Sequence, residues 1–199
     1  MPASGKELEV KFYLPSFTGF DSRLSKLGAQ LVQPRIYERN LRFDSPTGEL
    51  VRGYRVLRLR QDRIARLTYK GPAEVEGGAS LRQELEFTVS DFDTARAFLE
   101  ALGYQVVVMY EKFRTTYALD ALVVTMDEMP FGNFIEIEGP NGESIQAAAL
   151  KLNLDWEKRI LDGYMVLFER LRNRMSFTFR DLSFANFSDL KITPADLGF

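Results

Sequence analysis

From Glu7 the chain reads Glu7-Leu8-Glu9-Val10-Lys11, with a charge at every second position. On a β-strand, residues i, i+2 and i+4 project from one face. Glu7, Glu9 and Lys11 therefore share one face, and Leu8, Val10 and Phe12 share the other. Half-buried strands ordinarily alternate apolar with mixed polar residues. Here the polar face is almost purely ionic and carries both signs. The pattern returns at Arg58 and Arg60, at Arg82, Glu84 and Glu86, at Lys112 and Arg114, and at Glu136 and Glu138. A single pair of this kind reads as a solvated strand face with salt bridges worth little. Repeated on strand after strand with strongly apolar opposite faces, it implies a charged interior cavity built for a polyanion and a metal ion.

Eight segments carry strand signals: 6–14, 34–44, 53–61, 63–70, 81–88, 105–117, 121–128 and 133–139. Turn residues separate many of them, as in Ser45-Pro46-Thr47-Gly48, Gly71-Pro72 and Gly77-Gly78. Helical patterns fall at 19–27, 91–102, 143–152 and 156–174, the last with a stripe of Ile160, Tyr164, Leu167, Phe168 and Leu171. Mostly antiparallel strands in this number can close into a barrel. The expected fold is therefore α+β: an eight-stranded antiparallel β-barrel with charge inside, apolar faces outside and helices packed over them. Residues 1–174 form that domain in this reading, and 175–199 form a tail. The tail holds Phe177, Phe179, Phe184, Phe187 and Phe199. So many aromatics call for cover: packing along the barrel wall, a lid over one mouth, or a dimer contact, so a homodimer is one expectation.

The sequence contains no cysteine and no histidine. Disulfides, thiolate chemistry, histidine bases and histidine-ligated metals are excluded, and any metal must sit on oxygen ligands, which favours Mg²⁺ or Mn²⁺. Net charge is −2, so no global basic field argues for nucleic acid. No signal-peptide pattern and no apolar run near the roughly 18 residues of a membrane span is present, and a cytoplasmic protein with no membrane partner is the expectation. Neighbouring carboxylates on one face repel, so facing bases, a divalent cation or protonation must compensate. Arginine forks and lysine point charges favour phosphate oxygens. No P-loop is present, so side chains must hold the phosphate.

These residues resemble the CYTH superfamily, the triphosphate tunnel metalloenzymes, named for class IV adenylyl cyclases and thiamine triphosphatase. The N-terminal Glu-x-Glu-x-Lys signature stands at Glu7, Glu9 and Lys11. Phe43-Asp44-Ser45-Pro46 resembles the aromatic-Asp-Thr-Pro turn. Leu57 to Arg60, Leu67 to Pro72, Arg82 to Glu86, Lys112 to Arg114, Asp127 and Gly132 to Glu138 follow in the expected order, so the likeness covers roughly 5–170. The resemblance implies a triphosphate-containing small molecule as partner. Lys11, Arg58, Arg60, Lys70, Lys112 and Arg114 would hold phosphate oxygens, with Arg82 joining them or bracing acids. Glu7, Glu9, Asp127, Glu136 and Glu138 would hold metal or orient its waters. Glu84, ranked above Glu86, would serve the metal or pair with the bases. The catalytic set it implies is Glu7, Glu9, Lys11, Lys70 and Glu84. The main expectation is a metal-dependent triphosphatase acting on tripolyphosphate or an organic triphosphate such as thiamine triphosphate. The alternatives are a class IV adenylyl cyclase and a non-catalytic polyphosphate- or nucleotide-binding module. An aromatic wall for a thiazolium ring is not evident, because the only tryptophan, Trp156, reads as helix packing.

Overall fold

The computed structural model describes residues 5–198, so Phe199 and the first four residues lie outside the described residues. In chain order the elements are β1 (Lys6–Leu14), α1 (Phe20–Lys26), β2 (Gln30–Asp44), α2 (Glu49–Arg52), β3 (Val56–Gln61), β4 (Ala65–Glu76), β5 (Ala79–Val89) and α3 (Phe92–Ala101). There follow β6 (Gln105–Leu119), β7 (Leu122–Met129), β8 (Gly132–Glu138), α4 (Gly142–Lys151), a 3₁₀ turn (Trp156–Lys158), α5 (Tyr164–Met175), α6 (Phe184–Phe187) and α7 (Pro194–Leu197). The strands form a closed antiparallel barrel in the order β1-β5-β4-β3-β2-β6-β7-β8. Closure comes from β1, which pairs with β5 on one edge (Glu7 opposite Arg82) and with β8 on the other (Lys11 opposite Glu136).

The alternation read from the sequence decides which side of the sheet is wet. Leu8, Val10 and Phe12 of β1, Val124 of β7, and Ile135 and Ile137 of β8 all face outward into one buried cluster. Phe20 and Leu24 of α1 and Ile145, Ala148 and Ala149 of α4 cover them. Both α3 and α4 start at side-chain caps, Asp91 accepting from the Thr94 amide (2.7 Å) and Asn141 from the Ser144 amide (2.8 Å). A Cβ on Gly142 would fall 2.2 Å from the Gly77 carbonyl oxygen, so glycine there lets the β4–β5 hairpin sit against the start of α4. Trp156 packs with the same outer cluster beside Phe12, at 6.3 Å between ring centres.

The helix expected over 156–174 is in fact broken. Its first turn is the 3₁₀ segment, and Ile160 lies extended, exchanging both backbone bonds with Lys11 (3.0 and 2.7 Å). That edge of β1 has no other partner beyond Glu9, where the pairing to β5 stops, and buried backbone groups demand one. The helix resumes at Tyr164 after Gly163, its N-cap. The segment 53–55, expected in a strand, forms the turn that follows α2, with Tyr54 at φ 53°. The unexpected α2 is held by Asp44, whose carboxylate accepts from the Ser45, Leu50 and Val51 amides (2.7, 2.8 and 2.9 Å).

The tail wraps a second cluster. Leu182, Phe187 and Leu197 are buried there with Tyr164, Leu167, Phe168 and Leu171 of α5. Phe177 and Phe179 stack at 4.2 Å. Leu182 bonds Met109 and Glu111 of β6 (2.9 and 3.0 Å), along an edge that β7 does not reach. Truncation after Met175 should therefore lower Tm by more than about 10 °C, or leave the protein insoluble. A soluble truncated chain that melts with the full chain would contradict a core role for the tail.

Candidate active site

The ionic residues share the inner face because the barrel register aligns them. Across neighbouring strands Glu9 faces Glu138, Lys70 faces Glu84, Arg58 faces Thr68, Arg42 faces Arg58, Glu38 faces Lys112 and Arg114 faces Asp127. They surround a cavity of about 990 Å³ and an adjoining chamber of about 300 Å³. Glu7, Arg60, Glu86, Arg114, Glu136 and Glu138 line both. The outer part of the larger space meets apolar residues, among them Val51, Tyr54, Val56, Val108, Met165 and Val166. No described residue beyond Arg172 lines it, so α5, and not the tail, borders the opening.

Three acids act as hubs for the bases. Asp127 is fully buried and accepts from Arg114 Nε (2.6 Å), Arg114 Nη2 (2.5 Å), Lys112 Nζ (3.0 Å) and the Tyr164 hydroxyl (2.8 Å). Glu86 lies within 3.4 Å of Arg58 and 3.3 Å of Arg60, and accepts from the Thr68 hydroxyl at 2.8 Å. Glu38 lies 3.5 Å from Lys112 and 3.8 Å from Arg60. Burial opposes the Glu38 charge, but Lys112, Arg114, Arg60 and Arg58 outweigh it and hold the carboxyl down to about 2. Burial also opposes ionisation of Glu136, yet Lys11, Arg114 and Lys112 hold it well below the usual carboxylate range.

Apart from Glu136, the acids of the β1–β8 wall are less well compensated. Glu7 hydrogen-bonds Lys70, which also lies 3.0 Å from Glu84. Glu9 hydrogen-bonds Lys11, which lies 3.6 Å from Glu136. Burial and the nearby Glu136 still push Glu9 upward. Glu138 forms no ion pair among the described residues. Burial, then Glu7, Glu136 and Glu9, push its pKa up to about 7. Burial also disfavours the charge on Lys11, but Glu9 and Glu136 more than restore it and its pKa is raised.

The structure thus brings all thirteen expected residues to the barrel interior: Glu7, Glu9, Lys11, Arg58, Arg60, Lys70, Arg82, Glu84, Lys112, Arg114, Asp127, Glu136 and Glu138. It adds Glu38, Arg42, Tyr110 and Tyr164. Glu38 and Arg42 follow the same spacing through Asn40, and Tyr110 stands two residues before Lys112. Tyr164 gave no such signal, because it sat within an apolar helical stripe. Its ring lies beneath the ammonium groups of Lys11 and Lys112, at 5.5 and 5.6 Å. Burial, then Asp127 and Glu136, raise its pKa well above the usual value, so its hydroxyl donates.

Comparison with known proteins identifies the family from the sequence and the fold from solved structures. The CYTH domain model matches residues 5–162. A candidate adenylate cyclase from Vibrio parahaemolyticus superposes with a TM-score of 0.74 at 21% identity, covering 82% of this chain and 97% of that one. A protein from Pyrococcus horikoshii gives 0.67 at 25% identity, covering 80% and 98%. A Hippeastrum protein described as a candidate adenylyl cyclase with a dominant triphosphatase activity gives 0.59 at 18% identity, covering 82% and 95%. Among curated proteins, none matches.

Because Glu38 neutralises several buried cations, Glu38→Gln should destabilise the protein by about 3–5 kcal/mol at pH 7. The folded pKa of about 2 lies below the ordinary 4.5. The contribution is thus fully present above the ordinary value and disappears as pH falls through the folded one. Urea melts of both proteins from pH 7 down to 3 should show the gap narrowing. A gap that is constant with pH would contradict the assignment.

Proposed function

Because the chain belongs to the CYTH family, we propose that it hydrolyses a triphosphate inside the barrel in a reaction that requires Mg²⁺ or Mn²⁺. The observation that carries this reading is the near-balanced mixture of bases and acids enclosed in one cavity. A lining of that kind gains little from a lone anion or a lone cation and much from the two together. The donor set fits such an ion in kind, since every acid offers oxygen. Among the described residues, no group of three or more His, Cys, Asp or Glu is placed to hold an ion. Mg²⁺, however, commonly takes one or two carboxylates and completes its shell with phosphate oxygens and water. Glu9 and the facing Glu138, with Glu7 beside them, suit that mode. Burial first, and then the neighbouring acids, shift all three pKa values upward.

In this reading Lys11, Arg58, Arg60, Lys70, Lys112 and Arg114 grip the phosphate oxygens and steady the charge that develops on the leaving group. Arg82 extends the grip. Asp127 has both oxygens engaged by bases and Tyr164, so it orients Lys112 and Arg114. Bound Mg²⁺ or Mn²⁺ supplies charge neutralisation at the phosphate oxygens. Water attacks the terminal phosphorus, the bond to the bridging oxygen breaks, the remaining diphosphate departs with that oxygen, and the attacked phosphoryl group becomes orthophosphate. With no histidine in the chain, a carboxylate such as Glu84 aligns the water and accepts its proton. The apolar outer part of the cavity has surface for an organic substituent, so tripolyphosphate and organic triphosphates both remain within the proposal.

The test offers tripolyphosphate, ATP and thiamine triphosphate separately with Mg²⁺ or Mn²⁺, and quantifies orthophosphate, pyrophosphate and cyclic AMP. Orthophosphate release abolished by chelation, with Glu9→Gln slower by roughly 100-fold or more, is expected. Metal-independent turnover or full activity of Glu9→Gln would sink the mechanism. Cyclic AMP with stoichiometric pyrophosphate would make the protein a cyclase, and tight binding without turnover a binding module.

A further inference from the structure

Arg42 is an anomaly among the tunnel bases. It projects from β2, the strand diametrically opposite β1 in the ring, and lines the larger cavity. In register it faces Arg58, a like charge directly opposite, which destabilises a sheet. Among the described residues its guanidinium has neither a hydrogen bond nor an ion pair. The acid nearest in sequence, Asp44, is already occupied by three backbone amides. Burial, then Arg58 and Arg82, depress its pKa below the ordinary arginine value. Arg82 lines the same cavity and, among the described residues, also lacks an ion pair. Its register neighbour Glu7 is taken by Lys70.

A guanidinium held in a half-buried site beside like charges costs stability; Tyr110 and Asp44 favour its charge, but among the described residues no ion pair offsets the cost. On the opposite wall Glu138 has no ion pair among the described residues and faces a second acid, Glu9, which has Lys11 alone. The tunnel is therefore polarised across its width. We propose that Arg42 is a further phosphate-binding residue, which closes with Arg58 and Arg82 on the oxygens of a polyphosphate chain on the wall facing Glu9 and Glu138. The ligand class is a chain of three or more phosphates with a cation on one flank only. This inference rests on the triphosphate reading above, but it concerns binding and not turnover.

The test separates a ligand-binding base from a structural one by opposite signs. Calorimetric titration with tripolyphosphate in chelator, and then in Mg²⁺, is run on the full chain, on Arg42→Gln and on Arg42→Lys, with a thermal melt of each ligand-free protein. Arg42→Gln should melt about 2–4 °C higher than the parent and bind tripolyphosphate about tenfold or more weakly in both conditions. Arg42→Lys, which keeps the charge and loses the fork, should fall between. Unchanged binding in Arg42→Gln would overturn the inference even if the parent hydrolyses triphosphates. A lower melting temperature with weakened binding would assign Arg42 a structural role and overturn it as well. A parent that binds and does not hydrolyse, with binding lost in Arg42→Gln, would uphold it while refuting the triphosphatase reading.

Discussion

Everything in this structure depends on turning a sheet's ionic face inward and closing the ring around it. An ion moved from water into a protein loses several kcal/mol of solvation, and pairing returns that only when the geometry is good. The barrel answers with crowding. Asp127, Glu86 and Glu38 each serve more than one base, and Lys11, Arg60, Lys70, Lys112 and Arg114 each sit between acids from two strands. The register helps by placing opposite charges across from one another at Glu7 and Arg82, Lys11 and Glu136, Lys70 and Glu84, Glu38 and Lys112, and Arg114 and Asp127. Like charges meet at Glu9 and Glu138, at Arg42 and Arg58, and at Arg60 and Arg66, where Glu86 and Asp62 lie close to both arginines.

The inward turn leaves the outer faces apolar, and the helices follow from that. α1 and α4 cover the β1–β8 wall, while α5 and the tail cover the second cluster. The C-terminal segment does more than cover. It bonds β1 at Ile160 and β6 at Leu182, two stretches where the neighbouring strand stops short. Between those anchor points α5 lowers Tyr164 against Asp127 and beneath two lysines. The family match ends at residue 162, so this part of the lining comes from outside it.

The period-2 pattern made the barrel and most of its lining legible before any coordinates. Where charge and aliphatic residues alternate cleanly, as in β1 and β8, inside and outside were plain. β2 was harder. Arg39 sits between Glu38 and Asn40, both faces carry charge, and the alternation that marks Glu38 and Arg42 is blurred. The 156–174 stretch failed for another reason. Ile160 falls in step with a helical stripe, but the free edge of β1 claims its backbone, a demand that arises only in three dimensions. For the same cause Tyr164 read as packing, although its hydroxyl serves the tunnel.

The closing strand pair sets the order in which this molecule can come into being. β1 leads the chain, yet one of its edges belongs to β8, and Glu9 must find Glu138. During synthesis the barrel stays open until β8, ending at Glu138, has left the ribosome, and local contacts cannot substitute for that long-range pairing. Until then the ionic face remains in water and its desolvation is deferred. The enclosed charges are therefore assembled late, all at once, by a seam that joins the oldest strand to the newest.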